Sequence, residues 1–451
     1  MIDRKELITG VIQTDNKEYS FHLNNFSMIF LDAVVNSGLT SNLHPNDGFA
    51  TAFTHNGFKM LIYIGEHDHP VTNTMTIGLS SYIISTSNII DFDLTHFDGI
   101  EFVGGSISKL KSPKAFITKY DEITKRTYIE KNNDEQTFSF ATEDFVCDVK
   151  IGSHTSEKRS LHTRSITNDK VYFSMMFNKR QTTSSIYKHY NKVCELLSFL
   201  TNRKCVGVEE IYLLQKNVQY GATTLNIHKT ARVFIQNDDI LSQKQPYHNL
   251  EFALLGNSLG RLLEILYSTK ERKKSYSLGF YPYKDDDANL INNQIVRDVC
   301  SALECEISFI KDIKSEETKR IKELKKKIIP IIEEHKLSND KLRDKTYSLI
   351  ETSMDHWSMA ASDQIKALFH RYDDEMKIIA DRALMTVGDD EIDAFVKYRN
   401  DITHGSYRVL DRKIAYTTHL LTCLVYCCIL TRIGVPRESI KSWFNDGRLL
   451  H

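Results

Sequence analysis

The sequence predicts an α+β protein of more than one domain, with a β-rich amino-terminal region of sandwich or barrel type and an all-α carboxy-terminal bundle. Three observations carry this expectation. Short β-branched and aromatic runs, partly alternating, fill residues 1–160. Strand signals nearly vanish beyond Asp287. The length of 451 residues exceeds what one hydrophobic core organises.

In the first region, Glu6–Gln13, Phe58–Ile64, Met75–Leu79, Ile100–Gly104 and Thr137–Phe140 read as strands, punctuated by Asn, Asp, Gly and Ser. Residues 161–287 form a mixed α/β segment. Within it Ile186–Thr201 predicts a helix, because Val193, Leu196, Leu197 and Leu200 recur at three- and four-residue spacing. Glu210–Leu214 predicts a strand and Phe252–Leu266 another helix. Lys284-Asp285-Asp286-Asp287 follows a Tyr- and Pro-rich turn and marks a boundary.

Residues 288–451 then read as a bundle of five or six helices. Ile291–Ile313 carries an apolar stripe. Glu316–Glu333 is a charged helix that Pro330 kinks or ends. Lys341–Met354, Ser362–Leu384 and Glu391–Thr403 follow. Asp411 is placed to cap a long helix through Ile433, with Gly434 and Pro436 as its stop. No internal repeat or low-complexity tract interrupts the chain.

Hydrophobic residues at 41% and charged residues at 26% describe an ordinary soluble globular chain. A formal net charge of -1 excludes a uniformly basic nucleic-acid binder, so such a site has to come from local patterning. The eight cysteines form no CxxC pair and no zinc spacing with histidine. The charged start Met1-Ile2-Asp3-Arg4-Lys5-Glu6 has no following apolar segment of a signal peptide. Reduced thiols in a cytoplasmic protein are the expectation. The most apolar stretch, Leu420–Ile429, is too short to span a bilayer and reads as a buried helix, so no membrane association is expected.

The string Tyr398-Arg399-Asn400-Asp401-Ile402-Thr403-His404-Gly405 concentrates chemistry. Arginine and histidine so close can stabilise a phosphate and move protons around it, and that chemistry cleaves RNA without a metal. Ile392, Phe395, Val396, Arg399 and Ile402 share one helix face, which puts Arg399 in an apolar stripe. A guanidinium there needs a wet cleft or a counter-ion such as Asp393 or Asp401. In a continuous helix His404 would sit about 140° round from Arg399. Gly405 suits the left-handed residue that ends a helix, and would turn His404 back. The alternative for the histidine is a plain helix-terminal cap.

Arg399-Asn400-x3-His404-Gly405 resembles the R-x4-6-H signature of HEPN domains, in the form with a polar residue after the arginine. It lies between the last two core helices, where that family has it. The resemblance covers residues 288–451, and the whole layout is similar to ApeA-type anti-phage proteins. It implies a metal-independent, cofactor-free endoribonuclease in which the ribose 2′-OH attacks the adjacent phosphate. The products are a 2′,3′-cyclic phosphate and a 5′-OH. In that scheme His404 is the general acid or base, Arg399 stabilises the transition state and Asn400 orients both. The resemblance also implies a homodimer with two motifs facing one cleft, RNA as substrate, abortive infection as role and a phage component as trigger.

Other candidates carry less. Lys319, Arg320, Lys325, Lys326 and Lys327 form the strongest basic run and could steer RNA, but Glu316, Glu317 and Glu323 make a solvated helix face equally fitting. Lys270, Arg272, Lys273 and Lys274 beside Tyr276, Phe280, Tyr281 and Tyr283 better suit a surface loop packing its aromatics than an RNA platform. His67-Asp68-His69 is better explained as a turn than as a metal site, so no metal is expected. Cys423, Cys427 and Cys428 lie on the apolar terminal helix as small hydrophobes. No phosphate-binding glycine loop or nucleophile elbow is present. Two other readings stand beside the enzyme: a non-catalytic RNA-binding and dimerisation scaffold, and a toxin held by a separate antitoxin.

Overall fold

Alternation of buried and exposed side chains builds the amino-terminal half. Glu18–Asn24 alternates cleanly between the two, as a half-buried strand must. The structure is a computed structural model that describes residues 7–13, 18–31, 49–63, 76–111, 116–131, 135–159, 164–203, 206–220, 223–236, 250–268, 272–279, 291–310, 313, 316–339, 341–355, 361–384, 386–406 and 408–447. The His67-Asp68-His69 string, the Lys284–Asp287 run and residues Phe280, Tyr281 and Tyr283 lie outside them. The chain divides into two units, Met1–Thr269 and Lys270–His451.

The first unit holds a 13-stranded antiparallel sheet. One part comprises β1 (Ile8–Gln13), β2 (Glu18–Asn24), β3 (Ser27–Phe30), β4 (Phe49–Thr54), β5 (Lys59–Tyr63), β6 (Thr76–Gly78) and β7 (Ser81–Ser85). The rest comprises β8 (His96–Val103), β11 (Gln136–Ala141), β12 (Val146–Arg159), β13 (Arg164–Thr182), β14 (Glu210–Tyr220) and β15 (Thr223–Ile235). The order is β11-β12-β13-β8-β14-β15-β7-β5-β4-β1-β2-β3-β6, so β15 and β7 join the two parts. Strands beyond residue 160 thus continue the sheet begun before it. A separate hairpin pairs β9 (Phe116–Asp121) with β10 (Arg126–Lys131).

The two faces of β13 differ. Val171, Phe173, Met175 and Phe177 are buried on one face. Phe177 meets His189 of helix α2 (Ile186–Thr201), and Phe173 meets Phe252 of α3 (Phe252–Leu255). The other face is polar. Glu101 is 6% exposed and pairs with Lys229 Nζ at 2.6 Å and His154 Nε2 at 3.0 Å, while His154 stacks on Tyr172. The helix expected over Phe252–Leu266 is broken at Gly256 (φ 48°), and α4 (Ser258–Tyr267) follows. Gly260 lets α4 approach edge strand β11 closely, since a Cβ there would stand 3.0 Å from the Ser139 carbonyl oxygen. A helix beside an edge strand protects it from stray pairing. A short helix, α1 (Ser106–Leu110), follows β8.

The second unit is helical, with nine helices among its described residues, eight of them within residues 288–451 where five or six were expected. They are α5 (Arg272–Gly279), α6 (Asn293–Ile307), α7 (Glu316–Lys336), α8 (Asp344–Asp355), α9 (Ala361–Arg371), α10 (Asp373–Ala383), α11 (Asp389–Thr403), α12 (Arg412–Arg432) and α13 (Arg437–Asn445). α12 packs against α6, α10, α11 and α13. It is long and apolar enough to cross a membrane by length and composition, but 78% of its apolar window is buried within the helical unit. A helix apolar all round is the core helix of a bundle. Cys423, Cys427 and Cys428 are buried on it and form no disulfide among the described residues. Pro330 does not end α7, and the stretch Ser362–Leu384 is two helices divided at Tyr372.

Candidate functional site: the carboxy-terminal end of α11

Local chemistry sets both ends of α11. At its start Glu391 Oε2 accepts the Gly388 N–H at 3.0 Å, and Asp389, Asp390 and Glu391 occupy the first turn. Acidic groups there complement the helix dipole. Ile392, Phe395, Val396, Tyr398 and Ile402 are buried. At its end His404 is the last near-helical residue (φ −87°, ψ 13°), and its N–H donates to the Asn400 carbonyl at 3.0 Å. Gly405 then takes φ 83°, and the Ser406 N–H donates to the Asp401 carbonyl at 2.9 Å. That is the left-handed glycine stop, with the N–H two residues past the cap reaching back to the third-last helical carbonyl. The imidazole of His404 is exposed.

Arg399 is half-buried, at 26% side-chain exposure. Its counter-ion is neither Asp393 nor Asp401. Asp393 pairs with Lys366 at 2.7 Å and Asp401 with Arg408 at 2.8 Å. Arg399 Nη2 instead lies 3.3 Å from Glu304 Oε1 on α6, and Nη1 donates to Asn400 Oδ1 at 3.1 Å. The motif's arginine and amide therefore touch directly, while His404 is tied to the helix end by its backbone N–H.

Sequence reasoning missed the contribution of α6. Asn292 caps this helix, its side chain accepting from the Ile295 N–H at 3.0 Å. Asn293 Oδ1 accepts from Tyr398 Oη at 2.7 Å, and Tyr398 Oη also donates to the Arg408 carbonyl at 3.3 Å. Arg297 Nη2 donates to the Ile402 carbonyl. Cys300 Sγ lies 3.7 Å from Glu304 Oε1, and burial, then the Glu304 charge, pushes its thiol up to about 12. Cys300 is thus an inert neutral group rather than a nucleophile. The signal in the sequence was a polar stripe, Asn293, Arg297, Cys300 and Glu304, at steps of four, three and four.

The basic run lies on α7. Lys319, Arg320, Lys326 and Lys327 are exposed and Lys325 is half-buried. No ion pair to any of the five occurs among the described residues. α7 and α8 meet where His335 Nδ1 and Tyr347 Oη approach to 2.7 Å. Among the described residues, no cluster of three or more His, Cys, Asp or Glu side chains could hold a metal ion.

Residues 300–439 match the Apea-like HEPN family. This chain carries an Apea-like HEPN domain. The match begins on α6 and ends on α13, and Arg399, Asn400 and His404 fall within it. The HEPN domain thus follows a large β-rich sheet region in the same chain. No curated protein matches the chain, and no solved structure matches it.

Proposed function

We propose that the HEPN domain is a metal-independent endoribonuclease whose catalytic groups are Arg399, Asn400 and His404. One observation carries the reading. Within a domain of a family that includes ribonucleases, a half-buried Arg399 with one loose counter-ion donates to Asn400, and the exposed His404 closes the same glycine-terminated helix end.

The chemistry balances without a cofactor. The ribose 2′-oxygen bonds to phosphorus as its proton passes to an imidazole. The bond from phosphorus to the 5′-oxygen breaks, and that oxygen takes a proton from an imidazolium. An imidazole titrates near neutrality, so His404 suits either half-step. The planar Arg399 guanidinium stabilises the extra charge on the pentacoordinate phosphorus. Asn400, already bonded to Arg399, aims it. A symmetric homodimer would supply one histidine as base and a second as acid. Lys319, Arg320, Lys325, Lys326 and Lys327 would attract the RNA backbone.

A free ribonuclease poisons its own cell, so the reading includes restraint. The β-rich unit is assigned the sensing of a phage component, and RNA cleavage then aborts infection. The Arg399–Glu304 pair favours one rival, a scaffold in which Arg399 is structural. Cleavage assays with EDTA decide between them. Arg399→Ala and His404→Ala are expected to lose roughly 10²–10⁴-fold in rate with melting temperature unchanged. Wild-type cleavage by either variant, or loss of folding in step with loss of activity, would favour the scaffold.

A further inference from the structure

Asn293, Arg297, Cys300 and Glu304 form one stripe along α6. Three of them bond to α11: Asn293 to Tyr398, Glu304 to Arg399 and Arg297 to Ile402. The stripe therefore grips α11 on both sides of Asn400 and stops two residues short of His404.

Arg297 is the informative member. Its Nε is buried with no hydrogen-bond partner among the described residues. Leaving a buried donor unpaired destabilises the fold. A side chain needed only to fill this space would be served better by methionine or leucine. Beside the charge of its neighbour Asp298, the guanidinium makes one hydrogen bond among the described residues, to a carbonyl of the last turn of α11. Last-turn carbonyls have no partner inside their own helix. Holding that carbonyl fixes where α11 ends, and so where the His404 side chain begins.

We infer that Arg297 is a positioning residue for His404, and that α6 sets the separation of the two catalytic side chains by holding Arg399 through Glu304 and the helix terminus through Arg297. The inference rests on the ribonuclease reading. Arg297 itself touches neither the reacting atoms nor the RNA. Its single bond acts through the backbone of Ile402, so its loss lowers turnover rather than substrate binding.

The test uses the full chain and a defined oligoribonucleotide in EDTA, with rates expressed per folded molecule. Arg297→Met keeps the stem and loses the donor, Arg297→Lys keeps a donor and the charge, and Arg399→Ala reports the underlying chemistry. Arg297→Met is expected to lower kcat by about tenfold to a hundredfold, the scale of a misplaced catalytic group, with KM within about twofold. Arg297→Lys should recover much of that loss. The His404 ring signal in a proton–carbon NMR spectrum should shift or broaden in Arg297→Met and return in Arg297→Lys. Where Arg297→Met does not fold, Arg297→Gln replaces it with the same expectation in smaller degree. An unchanged kcat and an unchanged His404 signal in the Met or Gln variant would overturn the inference, as would a Lys variant no better than Met. Wild-type cleavage by Arg399→Ala would instead sink the ribonuclease reading, and the inference with it.

Discussion

Glu304 and Glu306 stand two residues apart on α6, on opposite sides of the helix, and each pairs with an arginine, but the two pairs are built differently. Glu306 is 1% exposed and its acceptors are filled. Arg432 donates to Oε1 at 2.7 Å and to Oε2 at 3.1 Å, and Ser277 Oγ donates to Oε1 at 2.5 Å. The Arg432 guanidinium also lies 4.6 Å from the centre of the Phe309 ring. Glu304 is 42% exposed and receives a single long contact, 3.3 Å, from Arg399. A guanidinium carries five N–H donors, and this one uses few of them. The closed pair is a structural rivet between α6 and α12. The open pair is an arginine held in place by one long, partly exposed contact.

Breaking each pair from its acidic side should expose the difference. Glu306→Ala leaves Arg432 buried without its counter-charge, and the expected cost is about 3–5 kcal/mol. Glu304→Ala removes one loosely made, solvent-exposed contact and should cost under about 1 kcal/mol. Urea unfolding of the full chain, followed by a probe in the helical unit, measures both. Equal losses would erase the distinction.

The β-rich unit holds the complementary case, a buried ionisable group with no counter-ion. His189 is fully buried; its Nδ1 lies 3.1 Å from Tyr267 Oη and its Nε2 has no hydrogen-bond partner among the described residues. Phe97, Phe145 and Phe177 surround the ring. Burial, helped by the nearby Lys188 charge, depresses its pKa from 6.5 to about 3. The unfolded chain therefore takes up this proton first as pH falls. The stability that His189 contributes is whole above pH 6.5 and drains away as pH drops toward 3. Between pH 7 and pH 5 the loss amounts to about 2 kcal/mol. His189→Phe should flatten that stretch of the unfolding-midpoint profile by about the same amount. A profile identical to wild type would show that the imidazole is protonated in place or reached by water.

The smallest effect concerns cations with no ion pair among the described residues. Replacing Lys325, Lys326 and Lys327 together by alanine should weaken RNA binding by about tenfold near physiological salt. For a single strand the slope of log Kd against log salt should fall by about 2. Turnover at saturating RNA should stay as in wild type. An unchanged salt slope would return α7 to the status of a solvated helix face.

Local signals were legible in the sequence and long-range ones were not. α2 runs from Ile186 to Thr201 as its apolar spacing required, and it ends on Asn202 in the left-handed region. Asp411 Oδ1 accepts the Ile414 N–H at 2.8 Å, and Gly434 takes φ 92°, so the start and stop signals of α12 acted as written. Gly405 did the same for α11. Pro330 misled because α7 is exposed around it, where water can serve the carbonyl that the missing N–H leaves unbonded. The break at Tyr372 has no local breaker. It arises where Tyr372 is buried and Arg437 lies 4.9 Å from its ring centre, a contact between residues far apart in sequence.

The site divides in the same way. Arg399, Asn400, His404 and Gly405 stand together in the chain, so the Arg399–Asn400 contact and the helix end at Gly405 could be argued locally, but His404 itself stays near-helical and is not turned back toward Arg399. The counter-ion of Arg399 could not be argued locally. Nearby acids were the natural guess, but Asp393 and Asp401 are committed to Lys366 and Arg408, and Glu304 comes from a helix 95 residues earlier. What spacing alone could have shown is that α6 is not simply apolar, because Asn293, Arg297, Cys300 and Glu304 mark a polar face that needed a partner.

The products of cleavage test the central claim most directly. A defined oligoribonucleotide would be incubated with the full chain in EDTA, and its fragments weighed by mass spectrometry. An identical strand would carry a 2′-deoxyribose at the cleaved position. The account predicts fragments ending in a 2′,3′-cyclic phosphate and a 5′-OH, and no cut at the deoxy position. Fragments ending in a 3′-OH and a 5′-phosphate, or equal cleavage of the deoxy strand, would contradict it.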